Sequence, residues 1–280
     1  MPKQLIINSS NYFQSSSKFI YRFPVRQQFK KGDQVGLSSL SIYNSFYNIS
    51  PAYNNNTFTL VFPSLVVQTQ VITIPTGYYS ISDLNYFLQQ QCIKYGFYCT
   101  SSTSSTSYIY FMEFVTNSVR YAAQINFYLL PSVAGTYSVP AGFSWAFPAA
   151  AATPQITFSA PFGLLIGFTA NTYPLTADGF TAAIQYVSPI TPTLSVVNSL
   201  IMTCNLINNH GISMPSSIFN SITLNAGFGS LVTMGAGQII MSDIATNDYD
   251  TIEIQIYDQN LNLLSIIDPD VLITLSLDIK

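Results

Sequence analysis

The sequence predicts an all-β protein, two antiparallel sheets packed face to face, with one substantial α-helix. Two observations carry this. Runs rich in β-branched and aromatic residues follow one another along the chain, each bounded by Gly, Pro, Asn or Ser clusters. Only one segment has clear helical periodicity. At 280 residues the chain is long for an average domain, but all-β sandwiches reach this size as single units.

The strand-like runs are, in order, 4–8, 18–23, 34–43, 57–62 and 71–75, then 107–115, 119–130, 155–159, 184–187, 194–204, 218–224, 252–257 and 271–279. In the last, Val271, Ile273, Leu275, Leu277 and Ile279 share one face, and Thr274, Ser276 and Asp278 take the other. That is the pattern of an antiparallel strand buried on one side. The helix lies in TGYYSISDLNYFLQQQCIKYG, where Ile81, Leu84, Leu88, Cys92 and Tyr95 form one apolar stripe. Ser80 suits the N-cap, Asp83 the positive helix end, Lys94 the negative end and Gly96 the left-handed stop. The segment 101–107 reads as a short polar tip. The segment 131–154 is a long uncharged loop holding the chain's single tryptophan, Trp145, and is expected to be an ordered contact loop. No internal repeat and no linker-like composition interrupts the chain. The expected organisation is an amino-terminal segment over 1–33 and one domain over 34–280.

Only 8% of residues are charged while 14% are aromatic, so the chain folds, and its polar surface is made of Ser, Thr, Asn and Gln. Such a surface suits a subunit that other proteins surround. The few charges are segregated. Lys3, Lys18, Arg22, Arg26, Lys30 and Lys31 open the chain, and eight of its twelve acids lie from Asp243 onward. The bases are interleaved with FIYRFPVRQQF, which reads as strand, so they are expected to sit beside the acidic carboxyl-terminal strands rather than to form a nucleic-acid arm.

Signs of catalysis are lacking. The single histidine, His210, sits in a turn-like INNHGISM, and no triad can be argued from it. Glu113 and Glu253 are far apart and read as edge charges. Cys92, Cys99 and Cys204 have no zinc spacing, the Gly-rich 225–238 lacks the lysine of a phosphate loop, and Asp248, Asp250 and Glu253 do not fit a calcium loop. The opening MPKQLIINSS lacks a signal-peptide core. The apolar stretch 147–168 contains Pro148, Pro154 and Pro161, so no continuous spanning helix is expected there.

Three motifs in this order, VITIPTGYYSISDLNYFLQQ, FSAPFGLLIGFTANTYP and IEIQIYDQNLNLLSIIDPDVLITLSLDI, resemble the penton (minor capsid) proteins of virophages and Polinton-like viruses. The first matches an Ile-Pro-x-Gly-x-Tyr turn entering a helix, the second a short motif before the second half of the barrel, the third the last hairpin. The resemblance covers about 71–280. It implies a single jelly roll, two Greek-key sheets of four strands, in which the run 34–43 lies beside 271–279. It also implies a homopentamer at the five-fold vertices of an icosahedral virion, assembled in the host cell. The partners would be the major capsid protein and an inner cement protein. No enzyme activity, no catalytic, cofactor-binding or metal residues, no genome contact and no membrane span are expected. Some relatives carry a large domain inserted between strands, for which this chain has no obvious room. Residues 1–29, with the pieces QLIINSS and KFIYRFP, are expected to act as an extended arm against a neighbouring subunit. The other class considered is a jelly-roll receptor- or carbohydrate-binding module, which would call for paired cysteines or a carboxylate-rich sugar or calcium site.

Overall fold

The computed structural model describes residues 3–9, 13–15, 17–101, 103–209, 215, 217–235, 239–268 and 270–280. The chain is mostly β-structure, with two α-helices among the described residues. It opens with β1 (Lys3–Asn8), β2 (Phe13–Ser15), β3 (Lys18–Gln28) and β4 (Gln34–Tyr43). Next come β5 (Thr57–Phe62), β6 (Gln68–Thr73), helix α1 (Ile81–Tyr95), β7 (Cys99–Ser101), β8 (Ser104–Ile109), β9 (Met112–Asn117), β10 (Ala122–Phe127) and β11 (Tyr137–Ser138). They are followed by β12 (Gln155–Phe158), helix α2 (Ala160–Ile166), β13 (Thr172–Tyr173) and β14 (Ile184–Val187). The chain closes with β15 (Ser199–Cys204), β16 (Ile218–Thr223), β17 (Leu231–Met234), β18 (Met241–Asp243), β19 (Asp248–Tyr257) and β20 (Leu272–Asp278).

Two compact units result. The first is Met1–Phe46 with Ser195–Lys280, and the second is Tyr47–Leu194. The range 34–280, expected as one domain, runs through both units. The second unit lies in sequence between β4 and β15. Composition hid the boundary, because the crossings NSFYN and PTLSV resemble every other Ser/Asn/Pro-rich loop of this chain.

The first unit is a sandwich. One sheet has the order β1-β20-β4-β17, with β18 also on β4, and the other has the order β16-β15-β19-β3-β2. The pairing is nested. β1 runs antiparallel to β20, β3 to β19, β4 to β17 and β18, and β15 to β16, as in a long hairpin closed from its ends inward. Two further pairings, β20 with β4 and β19 with β15, join its rungs sideways into the two sheets. Both inner faces feed one core. Ile7, Val35, Leu40, Ile273 and Leu275 come from the first sheet, and Phe19, Leu200, Met202, Ile252, Ile254 and Ile256 from the second. Within the segment 1–33, residues 3–8 and 18–28 lie as strands in the chain's own sheets. Its Ile7 and Phe19 are wholly buried, and that burial fixes β1 and β3 in the chain's own sheets.

The second unit holds three small antiparallel sheets, β13-β12-β5-β6, β14-β10-β9 and β11-β7-β8. Helix α1 packs on β9, burying Ile81, Leu84, Leu88 and Cys92 of the expected stripe and leaving Tyr95 half-buried. Ser80 and Asp83 form a reciprocal capping box, and Gly96 stops the helix at φ +73°. Phe158 lies among Phe114, Phe162, Phe168 and Tyr173 in a cluster of ring contacts. The run 107–115 is broken at Tyr110–Phe111 into β8 and β9, because the chain must turn there for the two to join different sheets.

Candidate assembly surface

The outer faces of the first unit's two sheets differ in chemistry. On the β3–β19 face, Lys18 Nζ lies 2.8 Å from Glu253, and Arg26 Nε lies 3.8 Å from Asp248 and 3.7 Å from Asp250. The amino-terminal bases thus meet the carboxyl-terminal acids, as the charge segregation required. These contacts are partly exposed and contribute little stability each. They also place a guanidinium between Asp248 and Asp250, which leaves those carboxylates facing a protein cation.

The opposite face carries no charge across three rows. Ile6, Thr274 and Ser39 form one row, Leu272, Ser41 and Thr233 the next, and Tyr43 with Leu231 the third. Ile6, Leu272 and Leu231 are 57%, 40% and 44% exposed. Asp243 and Asp278 flank Gln34 in the row at the end of the sheet, where Asp243 accepts a hydrogen bond from the Gln34 amide. An uncharged sheet face with three open aliphatic side chains is the kind of surface a neighbouring protein covers.

The carboxyl-terminal strand is a central rung between β1 and β4, and the run 34–43 lies beside it as the resemblance implied. Alternation departs from the expected pattern twice. Ile279 is 37% exposed, so the buried row ends at Leu277. Ser276 is buried: it pairs with Gly36, and Ile239 and Met241 lie within 3 Å of where a Gly36 Cβ would stand. The end of the chain is fastened by Asp33, whose buried carboxylate accepts the Lys30 N–H at 2.8 Å and the Lys280 N–H at 2.9 Å. Those two bonds, Lys30's first, hold the Asp33 carboxyl below its ordinary pKa of 3.8.

Each recognised motif builds a joint. In the first, Gly77 exchanges backbone bonds with Ile49, and the buried Asn48 side chain takes the Tyr79 N–H and gives its amide protons to the carbonyls of Tyr79 and Leu194. In the second, FGLLIGF forms α2, and Gly167 ends it at φ +82°, where a Cβ would stand 2.1 Å from the Ile190 carbonyl. In the third, Asp258 gathers the Asn260 and Asn262 N–H groups and the Asn262 amide, closing the turn after β19.

The long loop 131–154 is ordered, but Trp145 is turned inward. Its indole N–H donates to the Gly96 carbonyl at 2.8 Å, and its ring meets Phe62 and Phe147 edge-on. The Gly-rich stretch 225–238, read as a turn-rich link, contains strand β17, whose Leu-Val-Thr-Met was the available signal. Cys92, Cys99 and Cys204 are free and buried, and burial pushes each thiol up to about 12. His210 lies outside the described residues. Among those described, no group of His, Cys, Asp and Glu is placed to hold a metal ion, and no helix is long and apolar enough to cross a membrane.

No family model matches the chain, and no curated protein matches it. Two solved structures are similar over its whole length. One is the mavirus penton protein, at 7% identity and a TM-score of 0.46, covering 100% of this chain and 99% of that one. The other is a chain of the Sputnik virophage structure, at 10% identity and a TM-score of 0.44, covering 100% and 98%.

Proposed function

We propose that this chain is a structural subunit of an icosahedral viral shell. Within that class we propose a penton protein, forming homopentamers at the five-fold vertices of the virion. The observation that carries the reading is the nested pairing of the first unit. Numbering β1, β3, β4, β15, β16, β17 with β18, β19 and β20 from one to eight, the sheets run 1-8-3-6 and 2-7-4-5. That is the order of a long hairpin rolled into a single jelly roll. The three motifs that resemble penton proteins each build a joint within their own unit, and the three uncharged rows of the β1-β20-β4-β17 face offer a surface for a neighbour. The partners proposed are four further copies, the major capsid protein and an inner cement protein. We read residues 3–28 as contributing to lateral contacts through the edges and outer faces of β1 and β3, rather than as a detached arm.

A five-fold ring uses a heterologous interface that closes on rotation. Light scattering on the purified full chain tests the reading. A mass of five chains, or a concentration-dependent rise toward it, is expected. A stable monomer or trimer at high concentration, with no incorporation into shells when co-expressed with a major capsid protein, would instead favour a jelly-roll receptor- or carbohydrate-binding module.

A further inference from the structure

Unit 2 has three acidic residues, Asp83, Glu113 and Asp178. Asp83 is engaged in the α1 cap, and Asp178 accepts the Tyr186 hydroxyl. Glu113 is different, because it stands on an open sheet face among neutral hydrogen-bonding groups. On the β14-β10-β9 sheet, Glu113 lies opposite Asn126, and Asn126 opposite Gln185, so a carboxylate and two amides form one row across three strands. Their bonds fix their orientation. The Tyr128 hydroxyl donates to Glu113 Oε1 at 2.5 Å, and the Asn126 amide donates to the same oxygen at 2.9 Å. Gln124, one row away, donates to Asn126 Oδ1 at 2.8 Å and to Gln185 Oε1 at 3.2 Å. Asn126, Tyr128 and Gln185 also line an open cleft of about 380 Å³, completed by Phe127, Ala183 and Ile184.

We propose that this row and cleft form a binding site for a neutral glycan. The site presents the Glu113 carboxylate and amide oxygens as acceptors together with the Gln185 amide donor, while the Asn126 amide, held by Glu113 and by the Tyr128 hydroxyl oxygen at 3.4 Å, fixes their directions; that matches the paired donor and acceptor character of vicinal hydroxyls. Both bonds to Glu113 fall on one oxygen, leaving the other directed to accept from a ligand hydroxyl. The 42% exposed Tyr128 ring supplies an apolar face at one end for the C–H side of a sugar. Anionic ligands are disfavoured, since Glu113 is the charge within the row. Arg120 belongs to the β9–β10 turn, at the other end of those strands from the row. A purely apolar ligand is disfavoured because it would cover the Glu113 carboxylate and the Gln185 amide without replacing their hydrogen bonds to water. The inference concerns the second unit and does not rest on the shell reading of the first unit.

The test is a printed panel of neutral and acidic oligosaccharides probed with the full chain, followed by titration of the best neutral oligosaccharide, free in solution, with saturation-transfer NMR. Binding of a neutral glycan is expected. Asn126→Ala, Glu113→Ala and Tyr128→Ala should each weaken it at least about tenfold, while Tyr128→Phe keeps the ring and should retain more binding than Tyr128→Ala. Gln185→Ala, an exposed change on a sheet-edge strand, gives a variant whose folding is undisturbed and should also weaken binding. Thermal melts of every variant separate lost binding from lost folding. The proposal is overturned if the wild-type chain binds no neutral glycan, if it binds acidic glycans alone, or if folded Asn126 and Gln185 variants bind as wild type does. None of these outcomes bears on the pentamer, which light scattering measures separately.

Discussion

At the scale of single residues, the positions that matter most satisfy backbone groups in loops. Asn48 does so for the chain at Tyr79 and Leu194, and Asp258 for the turn after β19. Asp33 does so for the last residue. Because its folded pKa is lowered, its stabilisation is fully present above the ordinary value of 3.8 and is lost as pH falls through the lower folded value. Asp33→Asn is expected to lower stability at pH 7 by about 1–3 kcal/mol, since the carboxylate accepts two backbone N–H bonds in a buried setting. The gap between wild type and variant should narrow as pH drops below 3.8. Urea unfolding at pH 7 and at pH 3 measures both. A gap that stays constant would show that Asp33 acts through shape rather than charge.

At the scale of elements, α1 and β20 depend most on tertiary packing. Leu88 is fully buried beneath α1, so Leu88→Asp should cost several kcal/mol by leaving a charge without a partner in an apolar site. Wild-type denaturant stability in that variant would refute the register of the helix. β20 pairs on both sides, with β1 and with β4. Deleting 271–280 would open two sheet edges and remove Val271, Ile273, Leu275 and Leu277 from the core. The expected result is an insoluble chain. A monodisperse, protease-resistant product would mean that the first unit closes without its last strand.

At the scale of the whole molecule, the scarcity of charge has a location. Ion pairs gather on the β3–β19 face, and the rows of Ile6, Leu272 and Leu231 on the β1-β20-β4-β17 face are left neutral. A charged pair placed on the neutral face should disturb association without disturbing the fold. Ile6→Lys with Leu272→Lys is expected to leave the thermal midpoint within a few degrees of wild type, because both side chains are already exposed. It should shift the light-scattering mass from pentamer toward monomer. A pentamer of unchanged concentration dependence would move the interface to another face.

Periodicity and punctuation in the sequence determined the β class, the one long helix with its caps and buried stripe, and the alternation of the final strand. These depend on local rules: each apolar residue at a two- or four-residue step needs one shared surface, whatever that surface is. The meeting of early bases with late acids was also legible, since a chain with so few charges pairs those it has. Tertiary structure alone decided the rest. The unit 47–194 has no compositional mark, because a boundary is a matter of which contacts are missing rather than which residues are present. β18 is too short to signal itself, β17 signals only through its Leu-Val-Thr-Met, and both exist because β4 offers them an edge. Trp145 was expected at a contact surface, but the Gly96 carbonyl and the Phe62 ring lie where its indole can satisfy both. The row of Glu113, Asn126 and Gln185 joins residues from three strands, two adjacent in sequence and the third more than fifty residues on, so only the register of the sheet brings them into line.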